Sequence, residues 1–480
     1  MIRKHFTTWS KICSYVLTGT GLLLLASCAD DGFSDESFTS GNGVRNTRLT
    51  SPAADDIAID ASADGSKQVI SWPVVYGAGG YQAVLTNLTD DKVVVDTIID
   101  GLSFAAPREE DTNYKVTVQV LGNTDLGNTA GDVVEKLFNT FSESYAAIPE
   151  GDIYTYFQEN PLPEEPTGKE LCFDLVPGGN YTLSGTVDFG GHQVTLRSTS
   201  KTNPANLIME EGSTFTTFAG FSLKYLNIDA STLNHSIVTM SEEPNDSIKD
   251  LIGTKGWYFV MKPITLQGCV ITSLNTNLIS SNTAKYNLRS MNVSNCVVQM
   301  NEESTNTSAI VYFKAGYITN FSIKNSTVYA KGHTEKFFIQ HGGRPKDISE
   351  TELRYVSISN CTLANIAWSK NFCDYHNGQK TYYYTVLNSI IYDCGKPNFV
   401  TGLNKGQSSA NPTWNIDNNT YWRNGADVSE SQTGYTDNNK GQDTKLTTDP
   451  EIDPATEDFV PAAAQQEAGQ GDPRWFTTIN

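Results

Sequence analysis

The sequence predicts an all-β protein in which a small β-sandwich precedes a long parallel β-helix. Of the 480 residues only 18% are charged, while 22 are tyrosine and 38 are glycine. Asn, Thr and Ser are also frequent, and such residues suit turns and pleated surfaces rather than helices. Two further observations give the architecture: short alternating strands up to about residue 145, and a repeat that begins near residue 171. The net charge of -20 argues against nucleic acid as a partner.

The segment 1–27 has the form of a secretory signal. Basic residues precede the apolar run YVLTGTGLLLLA, which is too short to cross a bilayer, and small residues come before Cys28. The tetrapeptide LASC resembles the lipobox of bacterial lipoproteins. This resemblance implies lipidation of Cys28 and a membrane anchor, whereas the alternative is an ordinary signal peptide cut near Ala26.

Residues 28–50 form a polar stretch that is rich in Gly, Ser and Asp. Because such a stretch cannot bury a core, we predict a flexible tether. The pair Asp30-Asp31 resembles the surface-export signal of outer-membrane lipoproteins in glycan-foraging Gram-negative bacteria. This resemblance implies a lipid-anchored protein on the outer face of the outer membrane. Alternatively, the two carboxylates only solubilise the tether.

The first folded part covers residues 51–147. It contains the alternating runs QVISWPVV, YQAVLTNL, KVVVDTII and YKVTVQVL, separated by Gly, Asp and Asn turns. Several short strands at this spacing predict a β-sandwich. The positions of Trp72, Tyr81 and Tyr114 resemble those of fibronectin type III modules, which usually act as spacers.

A segment rich in proline and glutamate follows at residues 148–168. Proline lacks the N–H group that a strand ladder or a helix interior requires. We therefore predict a stiff linker that forms neither a strand nor a helix.

The second folded part, residues 169–480, contains a repeat of 27 to 35 residues. An alternating strand precedes each copy of a short motif. The copies are Gly268-Cys269, Asn295-Cys296, Asn325-Ser326, Asn360-Cys361, Asn388-Ser389 and Asn418-Asn419. Repeats of this length indicate a solenoid or a propeller, and a unit of strand, Asn turn, strand, loop and strand is one coil of a parallel β-helix.

The recurring Asn has a physical explanation. Asn tolerates the left-handed backbone conformation of a tight turn, and its amide can bond to the copies above and below. The Asn residues are therefore expected to line up in one turn column. Cys296 and Cys361 would lie two coils apart, about 9.6 Å, which exceeds the reach of a disulfide. We predict stacked core thiols, and no cysteine spacing indicates a zinc site.

The repeat region resembles the pectate-lyase-like right-handed parallel β-helix superfamily. The resemblance rests on the repeat, on the entry LVPGGNYTLSGTVDFGGHQVTLRS and on the tail DPEIDPATEDFVPAAAQQEAG, which is similar to the closing segment of β-helix proteins from glycan-utilisation loci. Together with the lipobox and the fibronectin-like module, it implies a surface lipoprotein that engages a polysaccharide and belongs to an outer-membrane glycan-uptake complex.

In this superfamily glycans lie along one sheet, beside the loops that follow the third strand of each coil. The corresponding strands here are NTNLISS, AIVYFKAG, KFFIQHGG and NFCDYHNG. If Gly316 is aligned with Gly342, the alternation along the strands predicts that one set of side chains faces outward. This set would form a glycan surface, because its aromatic rings can stack on sugar rings and its polar groups can orient sugar hydroxyls. That set comprises Tyr312, Lys314, Phe338 and Gln340, with a rim of His341, Arg344, Asp374 and His376. Alternatively, each is an ordinary solvated strand-end or loop residue.

Catalysis would require more groups than these. The resemblance implies a Lys or Arg base in uronate lyases, and we nominate Lys314, His341 or Arg344. Such lyases often hold calcium, but no cluster of Asp and Glu recurs at one phase of consecutive coils, so no cofactor is evident. Hydrolases of this fold need neighbouring aspartates, and only Asp374 is a candidate.

Three functions therefore stay open from the sequence. The chain is a polysaccharide lyase or glycoside hydrolase, a non-catalytic glycan-binding protein of an uptake system, or a structural or adhesive surface protein.

Overall fold

The computed structural model describes residues 44–62, 66–249, 256–301, 309–342, 354–375, 382–395, 399–403, 412–428 and 444–477. The chain divides into two compact units, residues 1–140 and 141–480. The predictions for the signal segment, Cys28, Asp30, Asp31, Arg344 and His376 lie outside the described residues. No described helix is long and apolar enough to cross a membrane.

The N-terminal unit contains two antiparallel sheets. One has the strands Ala58–Ala61, Lys67–Ser71 and Ser103–Pro107; the other has, in spatial order, Lys92–Ile99, Ala78–Asn87, Asn113–Gly122 and Val134–Asn139. Short 3-10 helices span Ala54–Asp56 and Thr124–Leu126. Both sheets contribute to one core, in which the Trp72 ring lies 5.5 Å from Tyr81 and 6.1 Å from Phe104. Membership of the fibronectin type III class stays a prediction.

The C-terminal unit consists of three long sheets of parallel strands, which confirms the parallel β-helix. Sheet 1 contains Ala146–Ile148, Leu171–Leu175, Val194–Ser198, Phe221–Lys224, Ile264–Gln267, Tyr286–Ser294, Tyr317–Lys324, Arg354–Ser359, Tyr382–Leu387 and Thr413–Asp417, with Tyr258–Val260 at its side. Sheet 2 contains Gly151–Asp152, Asn180–Leu183, Ala205–Met209, Leu226–Asp229, Val270–Leu274, Val297–Met300, Thr327–Thr334, Thr362–Ile366, Ile390–Tyr392, Thr420–Arg423 and the antiparallel Ala426–Asp427. Sheet 3 contains Thr186–Asp188, Thr214–Thr217, Val238–Met240, Ile279–Ser281, Ala309–Phe313, Phe337–His341 and Cys373–Tyr375.

The predicted linker at residues 148–168 is wrong for residues 148–159, which begin the β-helix, whereas residues 160–168 form neither a strand nor a helix, as predicted. Ala146–Ile148 pairs with the next strand of sheet 1, and Gly151–Asp152 pairs within sheet 2. A helix follows at Ile153–Glu159, and its residues Ile153 and Phe157 are buried in the β-helix core. Three of the four prolines come after this helix, so they do not interrupt it.

The Asn column is confirmed at the turn between sheets 1 and 2. All five Asn residues have φ between 48° and 55°, the left-handed region. Their side chains also bond along the column: Asn325 Nδ2 donates to Asn295 Oδ1 at 3.2 Å, and Asn418 Nδ2 donates to Asn388 Oδ1 at 2.8 Å. Asn therefore satisfies both the backbone and the stacking requirement of this turn.

The cysteines beside this column are free and buried, as predicted. Cys269, Cys296 and Cys361 all belong to the β-helix core. Burial raises the pKa of Cys361 to about 12, because an apolar interior disfavours the thiolate. This thiol packs as a small apolar group rather than a reactive one.

The C-terminal segment 444–477 runs along the outside of sheet 2. It includes the helix Ala463–Glu467 and a 3-10 helix Pro473–Trp475; a further short helix, Phe399–Leu403, lies earlier in the chain. The ring of Phe459 packs against Tyr329 at 4.6 Å, and Gly471 N donates to Asn388 O at 2.9 Å. The C-terminal segment thus covers the outer face of sheet 2 over its later coils.

Candidate functional site

The outward side chains of sheet 3 form one continuous column, because its strands stack in register. Each member pairs with the next across adjacent coils. In spatial order the column contains Asp188, Thr216, Thr239, Ser280, Tyr312, Gln340 and Asp374. With about 4.8 Å between strands, it extends about 29 Å along the solenoid. Six of these side chains are at least partly exposed, whereas Ser280 is only 6% exposed and bonded to Ser236, which interrupts the polar surface at its centre. The stretch beyond Ser280 contains the one aromatic ring and three of the predicted glycan-binding residues, Tyr312, Gln340 and Asp374.

Hydrogen bonds between neighbouring members fix the ends of this column. Gln340 Nε2 donates to Asp374 Oδ2 at 3.1 Å. At the opposite end, Thr216 Oγ1 donates to Asp188 Oδ1 at 2.8 Å. Tyr312 lies between Ser280 and Gln340 with its side chain half-buried. The side chains at both ends of the column are therefore held in position before a ligand binds, which lowers the entropy cost of binding there.

The predicted register of these strands is wrong by two residues. Tyr312 rather than Lys314 pairs with Gln340. Gly342 lies against the end of the neighbouring strand, since a Cβ atom on it would overlap Lys314 O. Because the shift is even, Tyr312 and Gln340 keep their outward orientation. Lys314 is exposed just beyond the strand Ala309–Phe313.

Phe338 does not face outward as predicted. Its side chain is only 2% exposed, and its ring lies 5.7 Å from Phe321 and 4.8 Å from Phe372. Simple alternation fails here because Phe338 and Ile339 are both buried where the chain enters the strand. Phe338 belongs to the core and offers no face to a sugar.

His341 is also inside the coil rather than on the rim. It is 2% exposed and lies between the rings of Phe313, at 6.2 Å, and Tyr375, at 5.2 Å. Burial, assisted by the charge of Arg354, lowers the pKa of His341 to about 3. The imidazole is therefore neutral at physiological pH and has no access to a glycan on the surface.

The sequence reasoning missed the N-terminal half of the column. Asp188, Thr216 and Thr239 stand on the short strands TVD, TFTT and VTM. The same alternation of inward and outward residues predicts these three positions when it is applied to the earlier coils, which lack the Asn motif.

A second cluster, at the end of sheet 2, was also missed. The rings of His333 and Trp368 stack at 3.8 Å, and the guanidinium of Arg423 lies 4.0 Å from the centre of the Trp368 ring. His333 Nε2 is 3.3 Å from Asp393 Oδ2, and Arg423 Nη2 donates to the carbonyl oxygen of Trp368 at 2.6 Å. These contacts join successive coils, so the cluster stabilises the stacking of the strand ends at this edge of the sheet.

The described residues of the column contain no pair of carboxyl groups placed for catalysis. Asp188 and Asp374 lie at opposite ends, about 29 Å apart, whereas glycosidases require two carboxyl groups within about 10 Å. Among the residues that the structure describes, no group of three or more His, Cys, Asp or Glu side chains is placed to hold a metal ion.

Comparisons with known proteins give domain families without an assigned function. Three family models match in series: DUF4992, a domain of unknown function, at residues 3–178; DUF4957, a domain of unknown function, at 179–331; and DUF5123, a domain of unknown function, at 356–475. No curated protein matches.

One solved structure aligns with the chain, a pectate lyase from Erwinia chrysanthemi in complex with tetragalacturonic acid. The alignment covers 83% of this chain and 100% of that chain, at 11% identity and a TM-score of 0.16. The parallel β-helix is accordingly assigned from this chain's own sheets.

Proposed function

We propose that the protein binds an extracellular polysaccharide along the outer column of sheet 3, without transforming it. The observation that carries the proposal is the column itself, in which polar side chains and one tyrosine occupy the same position on seven consecutive strands and six of the seven are at least partly exposed. Such a surface suits an extended glycan, since hydroxyls bond to the polar groups and a sugar ring stacks on Tyr312.

The charges favour a neutral glycan. With His341 buried and neutral, Lys314 is the one predicted cation that the described residues place beside the column. The column also carries the carboxylates of Asp188 and Asp374, and the chain has a net charge of -20. An anionic polymer would be repelled both locally and at long range.

Tyr312→Ala is expected to weaken glycan binding about two- to tenfold, since stacking on an aromatic ring contributes about 0.5–1.5 kcal/mol. The measurement is retardation of the purified protein in gels that contain neutral, pectic or glycosaminoglycan polysaccharides. Tyr355→Ala is the matched control, because Tyr355 is an exposed tyrosine of sheet 1 whose ring stacks on Tyr383 at 5.4 Å. Equal retardation of both variants and the parent protein would contradict the proposed site. Release of unsaturated products, followed by ultraviolet absorbance, would instead identify a lyase.

We also propose that the chain is a lipoprotein of the outer membrane, with the N-terminal unit as a spacer in a glycan-uptake complex. Support comes from the LASC sequence and the adjacent Asp30-Asp31. Cys28→Ser is expected to move the protein from the membrane fraction to the soluble fraction on immunoblots, since it removes the acylated thiol. A Cys28→Ser protein that stays in the membrane would exclude the anchor.

A further inference from the structure

A pocket of about 600 Å³ opens at the corner where the strands of sheet 3 turn into sheet 1. Its walls come from five segments of the C-terminal unit: 164–168, 190–193, 218–220, 245–248 and 259–262. These lie in the early coils, beside the Asp188 end of the outer column of sheet 3, where Gly190 N donates to Asp188 Oδ1 at 3.0 Å. A concave site of this volume is in the range of pockets that bind small ligands.

The lining of this corner pocket is largely apolar, and the absence of a side chain at Gly191 leaves the ring of Phe218 open to the pocket. A Cβ atom on Gly191 would lie 2.9 Å from the ring of Phe218 and 3.2 Å from Pro166. Met261 is 66% exposed at the pocket wall. A half-buried ring beside an exposed thioether provides the flat apolar surface on which a sugar ring stacks.

His192 supplies a polar ring at the pocket wall for which the described residues offer no hydrogen-bond partner. Its side chain lines the pocket and the residue is only 8% exposed. None of the residues that the structure describes forms a hydrogen bond with its ring. An imidazole ring can donate one hydrogen bond and accept another, so His192 is placed to bond to an occupant of the pocket.

The inserted segment that forms the outer wall is held by its own contacts. Asp246 Oδ1 accepts a hydrogen bond from Tyr258 Oη at 3.2 Å and one from Lys249 Nζ at 3.3 Å. The side chain of Asn245 accepts from Ser247 N at 2.8 Å, which caps the 3-10 helix Asp246–Ile248. Hydrogen bonds within the segment therefore hold this wall of the pocket in place.

We infer that this corner pocket binds a neutral sugar of about disaccharide size, as a second glycan site. The apolar face of one ring packs on Phe218, and hydroxyl groups bond to His192 and to the rim carboxylates Glu164 and Glu165. The rim has two carboxylates against the single cation of Lys262, so an anionic sugar is disfavoured. This site does not depend on glycan binding at sheet 3.

The test uses the full chain labelled with carbon-13 histidine and follows the His192 ring signals by NMR. His192→Gln assigns those signals. The probes are cellobiose, mannobiose and lactose, with digalacturonate as the anionic comparison. At least one neutral disaccharide is expected to shift the His192 signals, and digalacturonate is not. The absence of a shift with every neutral probe would overturn the inference.

Two variants separate this site from sheet 3. Ser247→Trp places a large ring at the exposed rim of the pocket and is expected to weaken binding of the responding disaccharide at least tenfold. Tyr312→Ala weakens the sheet 3 column and should leave unchanged the affinity that the His192 signals report, since Tyr312 is not part of the pocket. If Ser247→Trp binds like the parent protein, or if Tyr312→Ala alone loses binding, the corner pocket is not the site.

Discussion

Asp472→Ala is expected to destabilise the β-helix by about 3 kcal/mol, because it removes a buried carboxylate on which several donors converge. Asp472 is 1% exposed in the C-terminal segment that covers sheet 2. Its carboxylate accepts a hydrogen bond from Thr327 Oγ1 at 2.9 Å and from Arg474 N at 3.1 Å, and Arg474 Nε lies 3.2 Å away. The measurement is the midpoint of urea unfolding.

Asp472→Asn is the matched control for this prediction. Burial raises the pKa of Asp472, since desolvation of the carboxylate outweighs the favourable effect of Arg474. The negative charge is therefore not the stabilising feature, whereas the acceptor oxygen is. Asn retains one of the two acceptor oxygens and replaces the other with an amide donor, so it should cost about half as much as Ala, about 1–2 kcal/mol. Equal losses for the Ala and Asn variants would show that charge dominates instead.

The same contacts explain why the segment covers sheet 2 rather than another face. Trp475 Nε1 donates to Thr327 Oγ1 at 2.8 Å, and the Asp472 backbone N–H donates to Thr362 Oγ1 at 3.1 Å. Thr327 and Thr362 are register partners on adjacent strands of sheet 2. Partial detachment of the segment would expose Tyr329 and the polar groups of these threonines, so protease sensitivity should increase in Asp472→Ala.

The coil order was predictable because one position of each coil has a strict backbone requirement. A turn at φ near 50° admits Asn or Gly at little cost, and the sequence repeats Asn there. The inward and outward alternation along each strand then follows from pleat geometry, which is why the sequence predicts that Tyr312 and Gln340 share one face.

The wrong predictions concern features that tertiary packing decides. Prolines near the helix Ile153–Glu159 suggested a linker, but burial of Ile153 and Phe157 in the β-helix core stabilises a helix there. The predicted register was wrong because aligning Gly316 with Gly342 assumed that the turns of the two coils have equal length. In the structure Gly342 lies against Lys314, at the end of the preceding strand. The His333 and Arg423 contacts with Trp368 join residues far apart in sequence, and only coil stacking brings them together.

His341 shows most clearly what the local pattern leaves out. In sequence it is a polar residue beside a Gly-rich turn, which suggested exposure. In the structure it follows Gln340, an outward residue, and therefore points inward between Phe313 and Tyr375. The histidine occupies a place in the aromatic stack that another ring would also fill.

Acidification is therefore expected to destabilise the β-helix through His341. The pKa of this histidine is about 3 in the folded chain against an ordinary value of 6.5. Between these two values the unfolded chain binds the proton and the folded chain does not, so stability decreases as the pH falls below 6.5. The contribution is small at pH 7 and reaches about 2 kcal/mol at pH 5, at about 1.4 kcal/mol per pH unit.

His341→Phe isolates this effect, because Phe fills the place between the two rings and does not titrate. The comparison is the thermal midpoint of the parent protein and of the variant at pH 7 and pH 5. Other carboxylates and histidines titrate equally in both proteins, so their effects cancel in the difference. The parent protein should lose about 3 °C more than the variant on acidification, the shift that about 2 kcal/mol produces in a unit of this length. Parallel pH dependence in the two proteins would mean that His341 is protonated in the folded state, and hence that its ring reaches solvent.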